Sequence, residues 1–380
     1  MIIICESQCV GAEHAKVNAA LISCLFKTYK EEVVFVADET HKNCVLQFIE
    51  ADFAGINVTS YVVKVPNKYD SSCKRIWKEL RILKQASYLS EKSKCNKILF
   101  SSITSPGLYL LWLLIPSHMA PIIIIHGILE SLVKRPSLKP WEFIFWFRFP
   151  FLIASSKRFR YVLLGEPIKS NLFSTFPKMR NNIVSINMPY IFQKTIDSSF
   201  PTNNEIKFGY FGVGSKGKGF PVFCKLSEEL SVNSFKYKPT FILIGKVLEK
   251  DITVNENYVK VPFKKELNQN EFDILANSLH YSLYLYNSNV YKYVASAAFF
   301  DSLAYAKPII AINNSFFQYY FNLLGNIGYL CEGYSELKTT VEAILNGQKI
   351  SEYDKMVKTI ITRRESVSIF AKDSNVNKFW

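Results

Sequence analysis

The chain has 380 residues, of which 49% are hydrophobic, with only 15 glycines and 15 prolines. This composition excludes disordered, collagen-like and low-complexity chains, and the length suits two cores of about 150–200 residues each better than one. A net charge of +14, from 46 Lys and Arg against 32 Asp and Glu, favours an anionic partner. No block of consecutive basic residues forms an arm, so the expected partners are phosphorylated substrates or an anionic membrane surface, not nucleic acid.

Residues 2–5 form an apolar run that predicts a strand, and over 12–26 the apolar residues recur at helical spacing. A strand at 33–36, a helix at 44–54, a strand at 61–65 and a helix at 76–89 follow. Apolar runs at 97–100, 121–125 and 161–164 supply three more strands. None of these runs alternates, which fits parallel strands covered on both faces. Residues 108–125 are apolar enough to suggest a membrane span, but Pro116 and Pro121 interrupt them. A buried helix followed by a buried strand is expected there instead. The stretch 186–204, with Pro189, Pro201 and several Ser and Asn, reads as a linker. The same grammar then restarts, with strands at 206–211, 240–244, 258–261, 281–285 and 308–312 and a helix at 222–230.

Met1 leads straight into Ile2, Ile3 and Ile4 with no basic leader, and the 8 cysteines show no paired metal-binding spacing. Reduced, buried thiols in a cytoplasmic protein, at most peripheral at the inner face of a membrane, are expected.

Two segments have the composition of a phosphate site. The stretch 208–220 ends a strand in a loop holding Gly212, Gly214, Gly217 and Gly219 together with Ser215, Lys216 and Lys218. Glycines let backbone amides approach a phosphate, and the lysines add positive charge beside a helix N-terminus. The order is not that of a Walker motif, and a dinucleotide fingerprint would need a further placed glycine and a ribose-binding acid. In the second segment, Ser296 and Ala297 open a helix toward a diphosphate, and Asp301 stands ready to accept hydrogen bonds from ribose hydroxyls. The bland alternatives are a solvated turn and an ordinary helix–strand connection.

Taken together, the two segments resemble the carboxy-terminal domain of GT-B glycosyltransferases, close to the group 1, or family 4-like, bacterial enzymes that build surface polysaccharides. The strand–glycine loop–KG–helix element resembles 206–230, a strand ending in glycine resembles 240–245, and a serine-opened helix leading to Lys307-Pro308 resembles 296–311. A later G-I-G pattern with a trailing E-L helix resembles 325–337, so the likeness runs over 206–345. Residues 6–14 and His126-Gly127 resemble the first loop and a strand ending of the amino-terminal domain more loosely.

The resemblance implies an α/β GT-B fold, two Rossmann-like doubly wound domains facing a central cleft. An acceptor domain would span 1–190 and a nucleotide-sugar domain 203–365, with 366–380 packing back on the first. It implies Gly212, Gly214, Ser215, Lys216, Lys218, Ser296 and Ala297 at the donor diphosphate, and Asp301, Gly245 and Pro262 at the ribose or nucleotide. The implied function is transfer of a sugar from a nucleoside-diphosphate-sugar to an acceptor glycan or lipid-linked saccharide in bacterial surface polysaccharide synthesis. Deprotonating the acceptor hydroxyl needs a base, for which His126, Glu13 and His14 are the candidates; His41, His118 and His280 read as structural or solvated. Residues 134–141, leading into 143–151, mix basic and aromatic side chains in a way that suits an anionic membrane surface or a lipid-diphosphate acceptor. No paired acidic motif is evident, so no metal and no cofactor are expected. The sequence departs from the retaining members of the group at Tyr293, which stands where many carry the first acid of an E-x7-E pair. A nucleotide-sugar epimerase of the same fold and an inactive scaffold are the alternatives.

Overall fold

The computed structural model describes residues 1–380 except 54, 68, 116–118, 126, 133–145, 150, 152–158, 178–181, 193–199, 201–203, 248–251, 262–266 and 287–291. Its unbroken apolar runs become parallel strands. β1 (Ile2–Glu6), β2 (Val33–Ala37), β3 (Val58–Val62), β4 (Ile98–Ser102), β5 (Ile122–Ile125), β6 (Arg160–Leu164) and β7 (Ile183–Ile186) form one sheet in the order β3-β2-β1-β4-β5-β6-β7. Every residue of β1, β2 and β5 is buried, as strands covered on both faces must be. Among the described residues the helices of this half include α1 (Ala15–Tyr29), α2 (Glu39–Asp52), α3 (Ser72–Ser93), α4 (Ser105–Leu114) and α5 (Glu166–Thr175). The strand order runs outward from β1 in one direction and from β4 in the other. Right-handed crossovers then place helices on both faces, with α1 packed on α2 and α3 on α4.

A second sheet holds β8 (Glu205–Phe211), β9 (Lys238–Ile244), β10 (Val259–Lys260), β11 (Tyr281–Tyr284), β12 (Ile309–Ile312) and β13 (Gly328–Cys331), in the order β10-β9-β8-β11-β12-β13. Its helices are α6 (Phe220–Ser231), α7 (Gln269–Ser278), α8 (Ala297–Ala304), α9 (Ser315–Leu324), α10 (Tyr334–Leu345) and α11 (Ile350–Arg363).

The chain divides into two compact units. One comprises Met1–Ile191, Tyr293–Ala295 and Val367–Trp380; the other comprises Phe192–Lys292 and Ser296–Ser366. Within the first unit the tail is fastened by polar bonds to main-chain carbonyls. The Tyr29 hydroxyl donates to Val376 at 2.8 Å, and Arg160 donates to Lys378 and Phe379 at 2.7 and 2.6 Å. The Trp380 ring meets Tyr29 edge-on with centroids 5.2 Å apart.

Several elements differ from their sequence-based bounds for local reasons. α1 opens at Ala15, not near residue 12, because His14 is held at φ 52°, a left-handed turn that interrupts the helix. α2 opens earlier than expected, because the Asp38 side chain accepts hydrogen bonds from the Thr40 and His41 amides as an N-cap. The 108–125 run resolves into α4 and β5, and among the described residues no helix is long and apolar enough to cross a membrane. All eight cysteines are free; six are buried, Cys44 is half-buried and Cys73 exposed. Burial pushes the Cys24 and Cys224 thiols up to about 11, so both stay protonated and inert at neutral pH.

Candidate functional site

Open parallel sheets bind ligands at the carboxyl ends of strands, where the strand order reverses. In the second sheet that point lies between β8 and β11, and the glycine loop leaves β8 there. The Gly212 amide donates to the Ile244 carbonyl and the Gly214 amide to the Lys246 carbonyl, both at 2.9 Å. The β8–β9 pairing therefore continues past the strand ends, with a last bridge between Gly214 and Val247.

This corrects one expectation. The amides of Gly212 and Gly214 are occupied by protein carbonyls, so these glycines act by close backbone packing and not as anion donors. Gly245 shows why: a Cβ there would lie 1.9 Å from the Gly212 carbonyl oxygen. Gly219, at φ 71°, is under a similar constraint, since a Cβ would lie 2.0 Å from the Leu285 oxygen just past β11. Charge is supplied by the residues between. Lys216, Gly217 and Lys218 form a short 3-10 turn, with Lys216 exposed and Lys218 half-buried. Lys246 sits on the adjoining loop, and its position was not apparent from the motif.

α8 brings its first turn to the same place. A Cβ on Gly212 would lie 4.0 Å from that of Ala298, and the Tyr284 hydroxyl at the end of β11 donates to the Ala298 carbonyl at 2.5 Å. Ser296 is buried and caps the helix, its hydroxyl accepting from the Phe299 amide at 3.3 Å. Its side chain is thus a capping group rather than a ligand, while Ala297 is exposed at the start of the helix. Asp301 lies one turn further on and is half-buried. The structure therefore gathers Gly212, Gly245 and Ala298 around one point, with Ser215, Lys216, Lys218, Ala297 and Asp301 on the same loop and helix. Pro262 lies outside the described residues. Tyr293, at the position of the missing acid, is buried in the first unit, and its hydroxyl is 2.6 Å from that of Thr175.

In the first sheet the order reverses between β1 and β4, and a small pocket lies at their carboxyl ends. Glu6, His14, Asn18, Ser101, Ser102 and Leu164 are among its lining residues. Glu6 is buried and accepts five hydrogen bonds. Donors at normal distances are the Gln8 amide at 2.9 Å, the Cys9 amide at 3.2 Å, the Ser101 hydroxyl at 2.8 Å and the Asn18 amide group at 3.1 Å; the Ser102 hydroxyl completes the set. Burial alone would raise the Glu6 carboxyl. The bonds from Ser102, Gln8, Asn18 and Ser101 outweigh it and hold the group below its usual value.

Asn18 continues the network to His41, at 2.9 Å from Nε2, while His41 Nδ1 lies 2.8 Å from the Gly11 carbonyl. A carbonyl can only accept, so Nδ1 carries the proton and Nε2 accepts from Asn18. A buried chain of Glu6, Asn18 and His41 thus holds the loop 7–14 at Gln8, Cys9 and Gly11. No motif marks Glu6, Asn18, Ser101 or Ser102 in the sequence; the polar residues that end the two apolar strands are the available signal.

Of the acid–base candidates, His14 lines this pocket. Glu13 is exposed and outside its lining, because α1 starts two residues later and leaves Glu13 in the preceding turn. His126 lies outside the described residues, as do His118 and the basic–aromatic segment 134–141. His280 is structural: its Nδ1 accepts from the Lys207 amide at 2.8 Å, and burial together with Lys307 and Lys207 pushes its pKa down to about 4.

Two doubly wound parallel sheets, each with a polar loop cluster at its switch point, define the GT-B fold, and this chain adopts it. Solved structures match along nearly its whole length. HepE from Anabaena, in complex with UDP, matches at 14% identity and a TM-score of 0.58, covering 97% of this chain and 96% of its own. Sucrose-phosphate synthase from Thermosynechococcus elongatus matches at 10% identity and a TM-score of 0.63, covering 97% and 95%. A UDP-N-acetylglucosamine 2-epimerase matches at 12% identity and a TM-score of 0.55, covering 99% and 93%. No protein-family model and no curated protein sequence matches the chain.

Proposed function

We propose that this protein is a glycosyltransferase that moves a sugar from a nucleoside-diphosphate-sugar to a hydroxyl of an acceptor glycan or lipid-linked saccharide. The observation that carries this reading is the meeting of the glycine loop, Gly245 and the first turn of α8 at the switch point of the second sheet. It stands in a fold shared with a protein solved with UDP. Under this reading the second unit holds the nucleotide, the first holds the acceptor, and the setting is cytoplasmic surface-glycan synthesis.

The chemistry follows from charge. The bond between the anomeric carbon and the diphosphate oxygen breaks while the acceptor oxygen attacks, and negative charge grows on the departing diphosphate. Lys216, Lys218 and the N-terminus of α8 supply the compensating positive charge, so the reading calls for no metal ion or cofactor. The acceptor proton passes to a base, for which His14 in the first unit's pocket is the described candidate.

A thermal-shift screen against UDP, GDP, dTDP, ADP and CMP tests the reading. A rise with one nucleoside diphosphate, followed by release of that diphosphate from its sugar conjugate only when acceptor is present, supports transfer. Conversion of the sugar nucleotide to an epimer without acceptor would replace the reading with the epimerase one. Binding with no turnover of either kind would leave a scaffold.

A further inference from the structure

α3 carries an exposed face that none of the chemistry above uses. Its inward side is set by Ile82, Leu83, Ala86 and Leu89, all buried. On the outside, Lys74, Trp77, Arg81, Lys84, Tyr88 and Lys92 recur every three or four residues and are all exposed. At helical pitch they fall within one arc of about 80° and run along about 27 Å of the helix. The two aromatics are large and open to solvent, Trp77 at 53% and Tyr88 at 55%. Each is paired with a cation, the Arg81 guanidinium 5.4 Å from the Trp77 ring centre and the Lys92 ammonium 5.9 Å from that of Tyr88. Lys74 is bound to Asp70 at 3.0 Å, so the charge available to a ligand comes from Arg81, Lys84 and Lys92. The helix has two acids, and one of them, Glu79, is buried. On the adjoining α4, Leu113 is 69% exposed and Trp112 is exposed beside it.

We propose that this face of α3 docks on an anionic lipid bilayer. Trp and Tyr have an apolar body and a polar tip, which suits the headgroup level of a membrane, and Arg and Lys bury their stems there while meeting lipid phosphates. A basic helix with interleaved aromatics is the pattern of an interfacial helix. Two features favour lipid over nucleic acid. The Trp77 and Tyr88 rings already have cations within about 6 Å, whereas single-stranded nucleic acid needs open faces on which bases stack. An aliphatic side chain as exposed as Leu113 gains from acyl chains and offers nothing to phosphate. The inference goes beyond the transferase reading and does not depend on which reaction the protein runs.

The test is co-sedimentation of the full chain with vesicles of phosphatidylcholine containing phosphatidylglycerol, and with vesicles of phosphatidylcholine alone. The expected result is binding to the first and not the second. R81A/K84A should bind about thirtyfold more weakly and K84A alone about fivefold, each with an unchanged melting temperature. K355A/K358A, which removes two exposed lysines from α11, should bind like the parent. Equal binding to both vesicle types, or full binding by R81A/K84A, would overturn the proposal. So would binding of single-stranded RNA that R81A/K84A abolishes in a protein that ignores vesicles, which would assign the face to nucleic acid.

Discussion

Gly245→Ala is the substitution that most sharply probes the proposed nucleotide site. The new methyl would sit 1.9 Å from the Gly212 oxygen and 2.6 Å from its carbonyl carbon. Both partners are backbone, so no side-chain rotation relieves the clash. Since Cβ contacts shorter than 3.0 Å essentially never occur, the two loops must part by at least 1.1 Å, the difference between 3.0 and 1.9. The Gly212–Ile244 and Gly214–Lys246 bonds, each 2.9 Å, span that gap and must lengthen or break. Two backbone bonds at about 1 kcal/mol each, with overpacking at about 1–3 kcal/mol, set the expected loss of stability at a few kcal/mol. A displacement near 1 Å at the diphosphate should raise the nucleotide Kd at least about tenfold and lower turnover about a hundredfold. Gly217→Ala is the matched control, because nothing lies within 4 Å of its added methyl. Calorimetric titration with the preferred nucleoside diphosphate, alongside urea denaturation, measures both effects. An unchanged Kd in Gly245→Ala, or an equal loss in Gly217→Ala, would refute the reasoning.

Other substitutions separate the remaining roles. Lys218→Ala should weaken nucleoside diphosphate binding about ten- to a hundredfold and reduce turnover with it, as loss of a charged hydrogen bond does; unchanged turnover would remove Lys218 from the site. His14→Gln should lower kcat by about 10²–10⁴ with nucleotide affinity intact if His14 is the base, and a full kcat would exclude it. Glu6→Gln places an amide N–H against donors from Ser101, Ser102, Gln8, Cys9 and Asn18, and should cost about 3 kcal/mol or more in urea denaturation. Because the folded Glu6 carboxyl lies below its usual value of 4.5, its stabilisation is complete above that pH and disappears as pH falls through the lowered value. His280 acts in a higher window. Its pKa falls from 6.5 to about 4 on folding, so its contribution is full above pH 6.5 and is lost as pH falls toward 4, about 3 kcal/mol in all. His280→Gln should flatten stability across that range, and an unchanged slope would contradict the assignment.

The fold was legible because its strands are unbroken runs such as Ile2-Ile3-Ile4 and Ile122–Ile125, which suit a sheet covered on both faces. β7 was harder to see: Ile183–Ile186 is four residues with a serine in the middle, next to a stretch that reads as linker. α1 was placed too early because helical periodicity continues through residues 12–14, while the left-handed backbone at His14 leaves no mark on hydrophobic spacing. The glycine loop and the α8 segment were found from composition and order, but the use of each amide was not. That depends on the Ile244 and Lys246 carbonyls, more than thirty residues away in sequence. Glu6 was passed over for the same kind of reason. A lone acid at a strand end has no motif, and its five donors come from three separate stretches of chain. The face of α3 is written in spacing alone, yet its meaning depends on knowing which side of the helix is buried.

Amide hydrogen exchange with and without the preferred nucleoside diphosphate tests the central claim most directly. The account predicts new protection in peptides covering 212–219, 245–247 and 296–301, with the exchange of 6–18 unchanged. Protection confined to the pocket around Glu6, or no protection anywhere with the nucleotide saturating, would contradict it.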